Sequence, residues 1–202
     1  MARETPCSTP LQCLIFLLMA TPLLAAAVVL MVLFLPYSPN FQIVALQTSP
    51  IVLTPFVFDC TLMSATWNLT FVARNPNKRL ELHYKDVDVA VYYQWLSLSS
   101  QKLGFFKQSE DSEVVAQASV TASAVLSNQN AAAMEKEGRE DLAVNFIVKF
   151  RGTVRVYVGT SLGVDHALSI DCDGIKVVFS PQNGTGRMLG ATRRCHSNKL
   201  IF

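Results

Sequence analysis

"LAVNFIVKFRGTVRVYV", residues 142–158, places Leu142, Val144, Phe146, Val148 and Phe150 at every second position. Gly152 interrupts the series, and Val154, Val156 and Val158 resume it. A period of two sends alternate side chains to opposite faces of a strand, one buried and one wet, as in antiparallel sheets. The same period recurs on either side. Upstream, Trp67, Leu69, Phe71 and Ala73 alternate with Asn68, Thr70, Val72 and Arg74, and Val87, Val89, Val91 and Tyr93 alternate with Asp88, Ala90 and Tyr92. Downstream, Leu168, Ile170 and Cys172 are followed past Gly174 by Ile175, Val177 and Phe179. Several such segments between turn signals predict an all-β, antiparallel sandwich or barrel. Residues 114–126 alternate with alanines inside, as expected at an edge or a tight contact. Residues 128–141 predict a polar loop with one helical turn.

Between two of these strands lies "FVARNPNKRLELHYKDV", residues 71–87. Pro76 pushes Asn75 toward extended geometry, and Asn77 tolerates a left-handed turn position, so the polar knot is first of all a turn. The inward phase slips by one between Tyr84 and Val87, which predicts a bulge or bend at Lys85–Asp86. Arg74, Lys78 and Arg79 form a small cationic cluster, a candidate contact loop for a protein partner or for headgroups. A solvated turn is the competing account, because three cations are few for a dedicated patch.

The chain has 202 residues, 50% of them hydrophobic and 16% charged, which excludes a disordered chain. Its 17 basic and 15 acidic residues leave a formal +2, without the concentrated basic face of a nucleic-acid binder. Residues 14–35, "LIFLLMATPLLAAAVVLMVLFL", carry no charge over 22 positions. As a helix they span about 33 Å, enough for about 30 Å of hydrocarbon, and Pro22 is tolerated in such a helix. A cleaved signal peptide, cut at the Ala25-x-Ala27 pattern, is the rival reading. It would leave the apolar octamer Val28–Leu35 at a new N-terminus, and signal cores run only about 7–15 residues. The expected organisation is a short cytoplasmic N-terminus over 1–13, a transmembrane helix over 14–35 and an extracellular region over 36–202, with a β-sandwich core at about 60–180. Arg3 lies before the helix, whereas no cation follows it until Arg74, which places the N-terminus in the cytosol. Pro36, Pro39, Pro50 and Pro55 discourage a long helix after the anchor.

Two sequons, Asn68-Leu69-Thr70 and Asn183-Gly184-Thr185, lie beyond the anchor and are candidate glycosylation sites. Cys7 and Cys13 border the anchor, where palmitoylation competes with inert thiols as an account. Cys60, Cys172 and Cys195 fall in an oxidising compartment under this orientation. Spacing does not dictate their connectivity. The expected pair is Cys172–Cys195 with Cys60 free, because Cys172 ends a strand and a glycine-containing segment carries Cys195 back beside it.

Catalytic and metal signals are weak. "GTSLG", residues 159–163, matches the G-x-S-x-G pattern that lifts a serine above a parallel sheet. Alternation rather than a helix follows Ser161, and Asp165 and His166 sit too near it to be separate acid and base segments. His83, His166 and His196 lack zinc-ligand spacing, and "DCDG", residues 171–174, lacks the cadence of a calcium loop. No cofactor is expected.

Four segments resemble the late-embryogenesis-abundant group 2 family, in its plant harpin-induced and disease-resistance-like membrane branch. They are "ATWNLTFVARNPNKRLELHYKDVDVAVYY" (65–93), "LGFFKQ" (103–108), "VKFRGTVRVYVG" (148–159) and "CDGIKV" (172–177). Gly104 and Lys107 depart from the branch's usual proline and tyrosine. The resemblance covers roughly residues 40–180 and implies an immunoglobulin- or fibronectin-III-like sandwich. It also implies a plasma-membrane protein of pathogen defence and abiotic stress, with protein partners and no shared catalytic residues. A stress-protective module that contacts lipid or cell wall is the alternative function.

Overall fold

A computed structural model describes residues 10–34, 36–56, 59–159 and 162–197. The chain divides into two compact units, Met1–Leu35 and Pro36–Phe202.

The first unit holds helix α1, Pro10–Phe34, with Pro22 inside it. Its described side chains are Leu11 and residues 14–26. Leu14, Ile15, Phe16, Leu17, Leu18 and Met19 are consecutive and all exposed, so this stretch is apolar around its whole circumference. Among the described residues no helix is long and apolar enough to cross a membrane. The helix is shown; a crossing is not.

The second unit is all-β and antiparallel. Its strands are β1 (Asn40–Thr48), β2 (Val52–Pro55), β3 (Cys60–Arg74), β4 (Leu80–Tyr93), β5 (Leu96–Lys102), β6 (Phe106–Gln108), β7 (Glu113–Ser127), β8 (Ala143–Val158) and β9 (Leu162–Phe179). Short β10 (Gly186–Met188), β11 (Arg193–Arg194) and β12 (His196–Ser197) follow, and helix α2 (Asn128–Glu140) joins β7 to β8. Hydrogen bonding links the strands into one sheet, in the order β2-β3-β1-β10-β9-β8-β4-β5, with β7 beside β3 and β6 beside β4. The sheet curls over its own core. The Phe71 ring of β3 lies tilted against Phe150 of β8 with centroids 4.9 Å apart, and Trp67 meets Phe146 edge-on at 5.7 Å. Such aromatic contacts add specific geometry to the burial of large apolar rings. On the far side, Ser99 Oγ of β5 donates to the Thr121 carbonyl of β7 at 2.6 Å.

Inward positions follow the expected parity: Trp67, Leu69, Phe71 and Ala73, then Leu80, Leu82 and Tyr84, then Val87, Val89, Val91 and Tyr93 are all buried. The register shifts between Lys85 and Asp88, and Asp86 has φ of 47°, so the phase slip is a bulge. Gly152 stands opposite it. A Cβ there would come within 2.7 Å of the Asp86 carbonyl and of Val87 Cα, which is why the inward series on β8 skips one side chain.

Three expectations need correction. The segment 128–141 is a 13-residue helix, not a loop with one turn. Ser127 caps it by accepting from Asn130 N at 3.2 Å, Arg139 pairs with Glu135 at 3.1 Å one turn away, and Ala131 and Met134 are buried beneath it. The regular domain begins before residue 60, because β1 contributes Phe41, Ile43 and Leu46 to the core. A register shift between Ile43 and Ala45 breaks its parity and hides it from a period-two reading. Leu142 lies outside β8, exposed and at φ of 54°.

Candidate functional site

The strand registers define two ends of the curled sheet. One carries Asn40, Arg74, Leu80, Glu113 and Val158, through the pairs Asn40↔Arg74, Arg74↔Glu113 and Leu80↔Val158. The other carries Cys60, Tyr93, Ser127 and Ala143, together with α2.

At the first end, the Asn75-Pro76-Asn77 turn buries both asparagine side chains. Asn75 Nδ2 donates to the carbonyls of Leu80 (2.7 Å) and Ser109 (2.9 Å), and its Oδ1 accepts from Asn77 N (3.0 Å) and Asn77 Nδ2 (2.9 Å). Asn77 in turn makes a reciprocal pair with Tyr37: Tyr37 N donates to Oδ1 at 2.7 Å, and Nδ2 donates to the Tyr37 carbonyl at 2.9 Å. Backbone bonds from Asn75 N to the Ser112 carbonyl and from Asp111 N to the Asn77 carbonyl close the network against the β6–β7 turn. One polar knot therefore ties together the lead-in to β1 and two turns. Proline fixes the chain reversal, and asparagine is the side chain that can donate and accept there at once.

Arg74 is exposed and sits 3.4 Å from Asp111. Lys78 and Arg79 are exposed and have no ion pair among the described residues. A second buried clamp supports the same region. The Tyr84 hydroxyl donates to Gln108 Oε1 at 2.6 Å, and Gln108 Nε2 donates to the Ala73 carbonyl at 2.6 Å. Burial pushes the Tyr84 hydroxyl far above the ordinary tyrosine range. Gln108 was missed as a structural residue; its signal is a lone glutamine ending an aromatic pair, Phe105-Phe106, opposite a tyrosine strand.

At the α2 end, a groove of about 560 Å³ is lined by Tyr93, Lys136, Glu137, Asn145 and Asp173 among others. Glu137 Oε1 accepts from Asn145 Nδ2 at 3.0 Å. The Tyr93 hydroxyl is pushed up to about 12, by burial first and then by its hydrogen bond to Glu137 and that carboxylate's charge. Beside the groove, Trp95 on the β4–β5 turn is 82% exposed. No periodicity signals this groove, because its residues come from four separate segments.

The remaining candidates are dispersed. Ser161 lies outside the described residues, and the chain around it runs from β8 directly into antiparallel β9, with Val158 opposite Leu162. The element that follows is thus an antiparallel strand, where the elbow motif has a helix. Asp165 pairs with Arg155 at 2.5 Å, which holds its carboxyl below the usual range. His166 is buried. Among the described residues no three His, Cys, Asp or Glu side chains gather to hold a metal ion. Cys172 and Cys195 are disulfide-bonded, with Cα atoms 4.2 Å apart, and Cys60 is free. Asn68 is exposed on β3, between β1 and β7. Asn183 is exposed in the turn before β10, where its Oδ1 accepts from Thr185 Oγ1 at 2.8 Å. Cys7 lies outside the described residues, as does the side chain of Cys13.

No protein-family description matches the sequence. The chain is 28% identical over 118 residues to NDR1/HIN1-like protein 10 of Arabidopsis thaliana, an alignment covering 58% of this chain and 52% of that protein. The chain thus matches about half the length of that relative. A solved protein from Archaeoglobus fulgidus aligns over 65% of this chain and 96% of its own at 7% identity, with a TM-score of 0.28, too loose a superposition to carry an argument.

Proposed function

We propose that the chain is a non-enzymatic, single-pass plasma-membrane protein of the late-embryogenesis-abundant group 2, harpin-induced and disease-resistance-like branch. In this reading it acts in plant defence and abiotic stress signalling through protein partners. The observation that carries the proposal is the 118-residue similarity to NDR1/HIN1-like protein 10. The 22 uncharged positions of residues 14–35 are the sequence feature that supports anchoring in this reading. A disulfide and two sequons in residues 36–202 support an oxidising, extracellular side. The facing of β3 and β8 across one core supports kinship with an immunoglobulin- or fibronectin-III-like sandwich. Trp95 and the α2-end groove offer the partner-facing surface, where an exposed aromatic ring can act as an anchor.

The test is expression of the tagged full-length chain in plant cells. The expected outcome is retention in the carbonate-washed membrane pellet, a glycosidase mobility shift that Asn68→Gln and Asn183→Gln together remove, and weakened pathogen restriction when the gene is lost. A soluble protein with a new N-terminus near residue 28, or unchanged pathogen growth and stress tolerance on its loss, refutes the reading. The stress-protective, lipid- or wall-contacting alternative gains if stress tolerance is rescued by a chain whose Trp95→Ala change has removed protein capture.

A further inference from the structure

Charge is spread unevenly between the two halves of the curled sheet. β1, β3 and β7 carry two charged residues between them, Arg74 and Glu113, which are register partners at one end. β4, β8 and β9 each carry several, among them Glu81, Lys85, Lys149, Arg155, Asp165 and Lys176. The outward positions at the middle of β3 and β7 are instead neutral and polar: Thr66, Asn68 and Thr70 on one, Gln117, Ser119 and Thr121 on the other. Beyond β1 the charges resume with Arg187 of β10 and Arg193 of β11.

β7 makes this face a liability. From Val114 to Ser127 it has no charge, proline or glycine, and its register with β3 runs unshifted from Cys60↔Ser127 to Arg74↔Glu113. Val115 and Val125 on it are exposed. Its outer edge meets β5 through the Ser99 Oγ bond to the Thr121 carbonyl, without a backbone ladder among the described residues. Charges, prolines and bulges are what keep such an edge from pairing with another chain, and β7 has none of them in this stretch.

Asn68 stands at the centre of the same face. Its register partners are Gln47 of β1 and Ser119 of β7, and Thr70 completes its sequon. Around it runs a groove of about 460 Å³, lined by Ala45, Gln47, Thr70, Gln117 and Ser119 among others. Sites that hold small ligands occupy roughly 300–1,000 Å³. The small Ala45 and Ser119 leave the room, and the amides and hydroxyls around them both donate and accept. Such a neutral lining matches the hydroxyls and acetamide of an uncharged sugar.

We infer that an N-glycan on Asn68 covers the β1–β3–β7 face: its first N-acetylglucosamine lies in this groove, and the sugars beyond it keep β7 from pairing with a second copy. The inference rests on the extracellular reading above, in which both sequons meet the glycosylating compartment. The new bond joins Asn68 Nδ2 to C1 of the sugar as the C1–phosphate bond of a lipid-linked oligosaccharide diphosphate breaks. The amide gives up one proton, and the lipid diphosphate leaves with the electron pair. The glycan then supplies the hydration that charged side chains supply on β4, β8 and β9.

The full-length chain is purified in detergent from plant cells as the parent, N68Q, T70A, T70S and N183Q. N68Q and T70A remove the first sequon through different side chains, T70S preserves it, and N183Q removes the second alone. Peptide mass mapping is expected to find Asn68 modified in the parent, T70S and N183Q. Those three should sediment alike, whereas N68Q and T70A should self-associate at roughly ten-fold lower concentration, with unchanged melting in dilute solution. Below that concentration, amide exchange at Gln47 and at Gln117–Ser119 should be about five-fold slower in the parent than in N68Q, and should stay so after trimming to the first sugar. Unmodified Asn68 beside modified Asn183 overturns the inference while leaving the extracellular reading intact. So do N68Q and T70A that sediment as the parent does, or exchange equal in parent and N68Q. Self-association shared by T70S or N183Q does not come from the Asn68 glycan and overturns it too. If neither asparagine is modified, the extracellular reading falls and this inference with it.

Discussion

Replacing Asn75 by alanine removes four described hydrogen bonds from one buried point: two donated to the carbonyls of Leu80 and Ser109, and two accepted from Asn77. A typical intramolecular hydrogen bond contributes about 1 kcal/mol net, and a buried group left without a partner costs about 1–3 kcal/mol. Water entering the vacated space re-satisfies part of the network, and Asn77 Nδ2 keeps its bond to the Tyr37 carbonyl at 2.9 Å. The expected net loss is about 3 kcal/mol, which lowers the melting temperature by roughly 6–12 °C for a domain of this size. Asn75→Asp separates lost donors from lost packing, because the volume is unchanged but a carboxylate oxygen then faces two carbonyls. It should remain destabilised at neutral pH by at least 1 kcal/mol on the same scale. Lys78→Ala, at an exposed position, should fall within about 0.5 kcal/mol of the parent. Urea unfolding of the chain in detergent, followed by near-ultraviolet circular dichroism, reads all three. An Asn75→Ala loss below about 1 kcal/mol would show that the knot is solvated and that the turn holds without it.

Gly152→Val should destabilise by about 1–3 kcal/mol or more in the same assay, because its Cβ collides with backbone of the bulge at 2.7 Å and not with a side chain that can swing aside. The Tyr93 hydroxyl is raised from 10.0 to about 12, so its contribution to stability is complete below pH 10 and is lost as pH rises from about 10 to 12; Tyr93→Phe should flatten that alkaline slope in pH-dependent melting. Cys195→Ser opens a loop with a sequence separation of 23 and should cost about 3 kcal/mol. It should also speed amide exchange of β11 and β12, which pair with β1 and β9, while leaving the β3–β7 ladder protected.

Alternation by itself determined that the domain is built of antiparallel strands, because side-chain direction along an extended chain depends only on parity. Trp67–Ala73, Val87–Tyr93 and Val144–Phe150 could be assigned to faces without any knowledge of what covers them. The bulge at Lys85–Asp86 was legible for the same reason, as a slip in one strand's own parity. The uncharged run in α1 likewise shows itself residue by residue. Parity fails where the strand is bulged, as at Ile43–Ala45, and where a helix owes its length to a cap and a buried face supplied by the sheet, as in α2.

Only the tertiary structure decided what the polar knot is for. Asn75 and Asn77 look like ordinary turn residues in sequence, yet their amides reach Ser109, 34 positions away, and Tyr37, 40 positions away. It decided as well that the cationic turn and the α2-end groove stand at opposite ends of the strands. Local pattern records which face of its own element a residue occupies. Which distant segment meets that face is set by loop closure and by packing of the whole core, and these depend on every strand at once.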